Sequence, residues 1–404
     1  MTATSTAPRL VVQDLKVNRI HSIDLLRGIV MIIMALDHVR DYFHADAFLF
    51  NPLDLSQTNV PLFFTRWITH FCAPVFVFLA GTSAFLVGSR KGKAELSSFL
   101  FKRGVWLLVL EFTIINIAWF FNLEFSLIAL TVIWALGIGM IVLAAAIHLP
   151  FKVILGLGLL FVMGHNLLDP IKMTGSDTPA VLWSLLHEYK GFQLDPFFLF
   201  VGYPVIPWTG IMLLGYCFGK FYLPKTDAVF RKKILLRSGV SMIVAFVVLR
   251  LINSYGDPFP WSVQKNGVFT FLSFVNVTKY PPSLDYILVM LGPSFIFLAL
   301  AENLRGKLSQ YVIALGRVPM FYYITHLYLI HIIAVIAALA TGFEFSDMIF
   351  NTWVTDSPNL RGYGFSLAVT YLVWIAVVLA LFPLCLWYDR YKTGNKEKWW
   401  LSYL

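Results

Sequence analysis

Ten apolar stretches, each close to the length of a membrane-crossing helix, constrain the fold of this chain more than any other feature. A helix needs about 20 predominantly apolar residues to cross a bilayer. Only 13% of the 404 residues are charged, against about 25% in soluble domains. The sequence therefore predicts an all-α, polytopic membrane protein with about ten transmembrane helices, at approximately 22–43, 69–88, 104–121, 126–148, 152–168, 197–219, 234–252, 284–301, 319–340 and 364–388.

Lysine and arginine are concentrated on one side of these predicted spans. Of the 31 in the chain, 23 lie in the segments 1–27, 89–103, 149–152, 220–237, 302–317 and 389–404. Cytoplasmic loops of membrane proteins are enriched in these residues. We therefore expect an N-in, C-in protein of the cell (inner) membrane. It would have cytoplasmic tails at 1–18 and 391–404 and one transmembrane domain at 19–390.

This topology also accounts for the net charge of +9, so we expect no nucleic-acid partner. The three cysteines lie in apolar runs without a spacing typical of a disulfide framework or a metal site. His326 and His331 are five residues apart, and no carboxylate is near them in the sequence. We therefore expect no metal. The segment 304–318 is predicted to be an amphipathic or re-entrant piece.

The stretch from Arg19 to His44 combines the first apolar run with ionisable residues at both ends. Ionisable groups at membrane helices are costly and usually serve a function. On a helix, Asp37, Arg40, Asp41 and His44 share a face because they are three or four residues apart. This end of the first span is therefore the first candidate site.

A histidine on this helix suits general-base chemistry near neutral pH. His38 is the helix-borne candidate, and either Asp37 or Asp41 could support it. His44 is a second candidate, at the point where the helix is expected to end. The alternative interpretation is that these side chains are ordinary interfacial groups at a helix end.

Other candidates lie further along the chain. The loops predicted on the external side are long, at about 44–68, 169–196, 253–283 and 341–363, and could fold over a cavity. Candidate substrate-binding residues are Trp208, Lys279, Tyr280, Ser283 and His326. Each also has a plain structural interpretation, such as a snorkelling lysine or a histidine hydrogen-bonded between helices.

Five separated motifs resemble the bacterial relatives of heparan-α-glucosaminide N-acetyltransferase. They are RIHSIDLLRGIVMIIMALDH from Arg19, FVFLAGTSAFL from Phe76, YPVIPWTGIMLLGY from Tyr203, TKYPPSL from Thr278 and GRVPMFYYITHLYLIH from Gly316. The resemblance covers about 19–390. It implies the membrane catalytic part of a transmembrane acyltransferase, without the large lumenal domain of the lysosomal enzyme.

The resemblance implies transfer of an acetyl group from cytosolic acetyl-CoA to an amino sugar across the membrane. The wider superfamily shares an arginine and a histidine separated by ten residues, matched here by Arg27 and His38. His38 also falls near a catalytic asparagine of the lysosomal enzyme, and His44 near its catalytic histidine, although the loop length differs. On this basis the CoA phosphates are expected to meet Arg27, Arg103 and Arg317.

The expected partners are acyl-CoA, a sugar or glycan acceptor, the lipid bilayer and, as an option, a second copy in a homodimer. Direct transfer is the preferred mechanism, with an acyl-histidine intermediate as the alternative. A transporter or proton-coupled permease without acyl-transfer chemistry is the alternative function, because buried His and Asp also form proton relays.

Overall fold

The fold is described here from a computed structural model covering residues 20–304, 306–395, 397–398 and 401. The predicted tail at 1–18 lies outside the described residues, as does part of the tail at 391–404. The described helices are α1 (His21–Phe43), α2 (Val60–Ile68), α3 (Cys72–Gly88), α4 (Lys93–Leu110), α5 (Asn116–Phe120), α6 (Val132–Ala146), α7 (Phe151–Gly164), α8 (Thr178–Leu186), α9 (Val205–Phe218), α10 (Ala228–Ile252), α11 (Gly267–Val275), α12 (Leu284–Ala301), α13 (Lys307–Gly316), α14 (Pro319–Ala340) and α15 (Leu367–Gly394).

Several of these helices begin where a polar side chain caps the first turn. The side chains of Asp177, Asn266, Ser283 and Ser366 each accept a hydrogen bond from a backbone N–H three residues later. Such a cap satisfies one of the N–H groups that a helix leaves free at its start, and typically contributes about 1 kcal/mol. These residues place the starts of α8, α11, α12 and α15.

Within the described residues, six continuous helical segments are long and apolar enough to cross a membrane, judged by length and composition. Two of them join an α-helix to a neighbouring 3-10 turn or helix. Two others agree with the predicted spans 284–301 and 319–340 to the residue. The count of ten transmembrane helices and their orientation in the membrane stay predictions. Large apolar side chains are exposed on α10 and α15, as expected of helices that contact lipid. The six run Val60–Gly88, Phe151–Leu168, Ala228–Ile252, Leu284–Ala301, Pro319–Ala340 and Leu367–Gly394.

The described residues are mostly helical, and one small sheet is added to the predicted all-α fold. The sheet contains β1 (Leu127–Leu130), β2 (Lys190–Leu194) and β3 (Phe197–Val201). The central strand β3 pairs in parallel with β1 and antiparallel with β2. The predicted spans 126–148 and 197–219 therefore each begin with a strand. Short apolar runs do not distinguish a strand from a helix by periodicity.

Helix α1 lies at the centre and packs against α3, α12, α13, α14 and α15. Its contact with α13 brings backbone against backbone. A Cβ added to Gly28 would lie 2.0 Å from the carbonyl oxygen of Val312, and one added to Gly316 would lie 1.9 Å from that of Asp24. Glycine permits this approach. The segment 304–318, left open between an amphipathic and a re-entrant piece, thus contains a helix held against the central one.

The four long loops cover the carboxyl end of α1. They contain the helices α2, α8 and α11, and all four contribute residues to the wall of one cavity. The loops therefore do fold over a cavity, as their length and composition indicated. The side of the membrane on which it opens stays a prediction.

Candidate functional site

The cavity has a volume of about 780 Å³ and lies at the carboxyl end of α1. Helix α1 contributes Asp37, His38, Arg40 and Asp41 to its wall. The lining also includes aromatic rings from several elements, among them those of Trp119, Tyr189, Phe200, Tyr203, Tyr280, Tyr323 and Trp353. A cavity that combines aromatic faces with convergent polar groups is typical of a small-molecule site.

Asp37 is the centre of the charged part of this wall. Arg66 Nη1 donates to both of its carboxylate oxygens, at 2.5 and 2.6 Å. The hydroxyl of Thr69 donates to it at 2.9 Å, and Arg40 Nη2 lies 3.0 Å away. Lys279 Nζ lies 3.9 Å from the second oxygen. Three cations thus surround one buried carboxylate, which compensates the cost of burying it.

Asp41 supplies the second carboxylate, and Arg40 Nη2 bonds to it. The group around Asp37 therefore contains three cations and two carboxylates, a local surplus of one positive charge, whereas the whole lining has four cations and four carboxylates. Arg40 Nε and Nη1 are buried without a hydrogen-bond partner among the described residues, as are both ring nitrogens of His70. Buried donors that the protein leaves unmatched are available to a bound ligand.

His38 does not depend on these carboxylates for its main hydrogen bond. Its Nδ1 lies 2.7 Å from Nε2 of His326, and Nδ1 of His326 lies 2.9 Å from the carbonyl oxygen of Tyr322. A carbonyl only accepts, so Nδ1 of a neutral His326 carries the proton and its Nε2 accepts. His38 Nδ1 must then donate, which leaves the lone pair on His38 Nε2. A lone pair on Nε2 allows His38 to accept a proton there, as a general base must.

The surroundings of His38 hold the ring in place. Trp119 packs edge-on against it, with ring centroids 4.7 Å apart, and the His326 ring stacks at 4.9 Å. His38 is 8% exposed and lines the cavity. A catalytic role for His38, and for Asp37 and Asp41, stays a prediction, but the structure places all three at one cavity.

His44 lies apart from this cavity lining. Its Nδ1 is 3.1 Å from the carbonyl oxygen of Phe365, and its Nε2 is 3.5 Å from Asp46. Burial lowers the pKa of His44 from its ordinary value. Its role as a base stays a prediction, and the contacts seen here join the end of α1 to the start of α15.

The five predicted substrate-binding residues divide into two groups. Lys279 and Tyr280 line the cavity, with the ammonium of Lys279 5.0 Å from the Tyr280 ring. Trp208 and His326 are fully buried behind the lining. Ser283 is also buried, where it caps α12 and donates to Asp257 at 2.7 Å. Only the first two are placed to contact a ligand directly.

The opposite end of α1 carries a second charged cluster. Arg27 Nη1 donates to Asp24 at 3.2 Å, and Arg27 Nη2 donates to the hydroxyl of Ser83 at 3.2 Å. Arg317 lies 3.8 Å from the same Asp24 and 3.4 Å from Asp389. The structure thus joins two of the three predicted phosphate-binding arginines, whereas the third, Arg103, lies half-buried on α4.

Sequence reasoning missed Arg66, which holds Asp37, and Trp119, which lines the cavity. His70 was left open between lining the cavity and marking the membrane interface, and the structure places it in the lining. Sequence reasoning assigned His326 to the substrate and did not anticipate its bond to His38. One signal for Arg66 was available, since it is one of only eight Lys or Arg residues outside the basic segments. The pairing of His38 with His326 had no signal in the spacing.

The fold and the site define a helical membrane protein with a charged, histidine-containing cavity at the end of its central helix. The sequence profile of the heparan-alpha-glucosaminide N-acetyltransferase catalytic family matches residues 19–251, more than half of the chain. The chain belongs to this family, which confirms the resemblance seen in its motifs. A search of curated proteins found no match. Membership indicates a membrane acetyltransferase in general.

Proposed function

We propose that this protein transfers an acetyl or other short acyl group from acyl-CoA to an amine or hydroxyl of a sugar. The observation that carries the proposal is the hydrogen bond from His38 to His326 at the wall of the large cavity. It supports a base with its lone pair on Nε2. Family membership supports the acyl-transfer chemistry, and the cavity supports an acceptor the size of a sugar.

In the proposed reaction, His38 Nε2 removes a proton as the acceptor nitrogen or oxygen attacks the thioester carbonyl. The new C–N or C–O bond forms, the C–S bond breaks, and the electron pair leaves on sulfur. His38 then returns the proton to the thiolate, which gives CoA-SH and the acylated acceptor. His326 accepts a hydrogen bond from the transient imidazolium and orients it.

The surplus positive charge near His38 serves the same step. A tetrahedral intermediate carries negative charge on oxygen, which fixed donors in a buried site stabilise. Arg40 lines the cavity and has two unmatched nitrogens, and Lys279 lies 3.9 Å from Asp37. In this proposal, Asp37 and Asp41 act by positioning these cations.

The donor is proposed to enter from the other end of α1. Arg27 and Arg317 are joined there through Asp24, and guanidinium groups suit bidentate phosphate contacts. His38 lies eleven positions after Arg27 on one helix, about 16 Å at the standard rise. The pantetheine arm of CoA would span this distance and bring the thioester to His38. Arg103 is proposed to contribute to the same phosphate site.

The acceptor is proposed to enter from the loop side. Tyr280, Tyr189 and Trp353 supply aromatic faces on which a sugar ring can pack, and Lys279 supplies a charged donor. In this proposal the loops face the external side of the cell (inner) membrane, as the distribution of Lys and Arg predicts.

Thioester turnover by the purified protein tests the proposal. Acetyl-CoA and glucosamine are incubated with protein in detergent, and both free CoA thiol and acetylated sugar are measured. We expect the two products in equal amounts. Thiol release that needs no acceptor would indicate an acyl-enzyme or hydrolysis. The proposal fails if a panel of amino and neutral sugars gives neither product, and proton-coupled uptake in vesicles would then favour the transporter.

Cysteine labelling in intact cells tests the orientation. The native cysteines Cys72, Cys217 and Cys385 are all buried, so they give little background. A cysteine placed at Asp54 should react with an impermeant external reagent, and one placed at Lys91 should react only after permeabilisation. The reverse result would overturn the assignment.

A further inference from the structure

A second cluster of histidine and carboxylate side chains lies behind the cavity wall. His165 and Asp169 come from the turn that follows α7, and His187 comes directly after α8. One donor atom from each residue can be chosen so that all three lie within 4.8 Å of one another. The catalytic proposal above uses none of these residues.

Their arrangement is close to that of a metal centre. His187 Nε2 lies 2.9 Å from Asp169 Oδ1, and the two imidazole rings are 5.6 Å apart. Around Zn²⁺, with bonds of about 2.0–2.1 Å, tetrahedral ligand atoms are separated by about 3.4 Å. Small side-chain rotations would therefore bring the three donor atoms to coordinating positions.

The hydrogen bonding of the two histidines points to a missing ligand. Both are 2% exposed. Within the described part of the chain, both ring nitrogens of His165 and Nδ1 of His187 are buried without a regular hydrogen-bond partner. Leaving such groups unmatched costs about 1–3 kcal/mol each. The carbonyl of Pro282 approaches the His165 ring, where it could receive an N–H once the other nitrogen binds a ligand.

We propose that His165, Asp169 and His187 bind one divalent transition-metal ion of the zinc class. Two imidazoles and one carboxylate favour Zn²⁺ over Mg²⁺ or Ca²⁺, which prefer oxygen ligands. Water would occupy the fourth position. The sequence-based expectation of no metal considered only closely spaced histidines, whereas these ligands come from the ends of two separate helices.

The position of the cluster indicates a structural role for the ion. Asn166 donates to Asp169 at 2.8 Å and also accepts from the backbone N–H of Leu284, at the start of α12. Tyr189, two residues after His187, stacks on Tyr280 with ring centroids 5.2 Å apart, and both line the cavity. The ion would thus fix the turn after α7 and the end of α8 behind one cavity wall.

Metal titration of chelator-treated, tag-free protein tests the proposal without any activity measurement. We expect calorimetry to show one Zn²⁺ per chain and thermal unfolding to move to higher temperature when Zn²⁺ is added. Co²⁺ should give the intense visible absorption of a tetrahedral site. His165→Ala and His187→Ala should lose this binding at least tenfold, whereas His148→Ala, at an exposed histidine, should keep it.

Wild-type protein that takes up no Zn²⁺, or binding that is equal in His165→Ala, His187→Ala and wild type, would overturn the proposal. If the alanine variants do not fold, the wild-type Co²⁺ spectrum decides. Weak octahedral bands would contradict the proposed tetrahedral, zinc-class site, and intense tetrahedral bands would support it.

Discussion

His38 Nδ1 and His326 Nε2 lie 2.7 Å apart although 288 positions separate the two residues in the sequence. The bond joins α1 to α14, and the Tyr322 carbonyl fixes its direction from the far side. His326 therefore accepts this hydrogen bond, and His38, which lines the cavity, keeps a lone pair on Nε2. Removing each partner should have different consequences.

His38→Ala should lower kcat by about a hundredfold to ten-thousandfold, because it removes a general base. CoA binding should stay within about twofold of wild type, since Arg27 and Arg317 lie at the other end of α1. Steady-state turnover and equilibrium CoA binding measure the two effects. His148→Ala is the control. Turnover near the wild-type rate in folded His38→Ala would exclude His38 as the base and make His44→Ala the next variant.

His326→Ala should lower kcat by about tenfold to a hundredfold, because the variant loses one hydrogen bond to a charged group and the free energy of that bond corresponds to this change in rate. His326→Gln retains an acceptor oxygen and should recover part of the loss, with little change in KM for the sugar. A purely structural His326 would instead show equal losses in both variants, with lower thermal stability. Kinetics and unfolding temperatures of both variants separate these cases.

Arg66→Met should destabilise the protein by about 3–5 kcal/mol, because it leaves the buried Asp37 with fewer compensating cations. Adding Asp37→Asn to this variant should restore part of the loss, since the two side chains interact directly. Lys91→Met breaks the exposed pair with Glu95 and should cost about 1 kcal/mol or less. Unfolding in detergent measures all three, and equal losses in the two single variants would contradict the buried pair.

Gly28→Ala should destabilise the contact between α1 and α13 by about 1–3 kcal/mol or more, since its Cβ would meet the backbone of Val312. Gly92→Ala is the matched control, because nothing lies within 4 Å of its added Cβ. The control substitution should leave the stability of the protein unchanged or raise it slightly. Thermal unfolding compares the two. A Gly28→Ala protein as stable as wild type would mean that the helices do not approach as closely as described.

Arg27→Ala should weaken CoA binding by about tenfold to a hundredfold, because the loss of one charge-assisted contact to phosphate changes the affinity by about this factor. Because Arg27 also pairs with Asp24, thermal stability is measured in parallel. Arg237→Ala, at an exposed arginine on α10, should bind CoA normally. If folded Arg27→Ala binds CoA as tightly as wild type, then Arg27 is only a topological and structural residue.

The sequence by itself determined the class of protein, through the length of its apolar runs and the positions of its charged residues. Apolar runs of about 20 residues have few soluble alternatives, so they defined a helical membrane protein and the bounds of α12 and α14. Local motifs were sufficient to indicate the family. The ionisable residues at the end of α1 drew attention to Asp37 and His38, because such groups are costly in an apolar helix.

Only the tertiary structure decided which side chains meet. Arg66, Lys279 and His326 come from α2, a loop and α14, and their meeting at the end of α1 depends on how these elements pack around it. The strands β1 and β3 are about 70 residues apart in the sequence and pair with each other. A pattern of apolar residues does not predict which distant segments will pair. Helix spacing describes neighbours on one element, whereas these contacts between elements follow from packing the whole chain around α1.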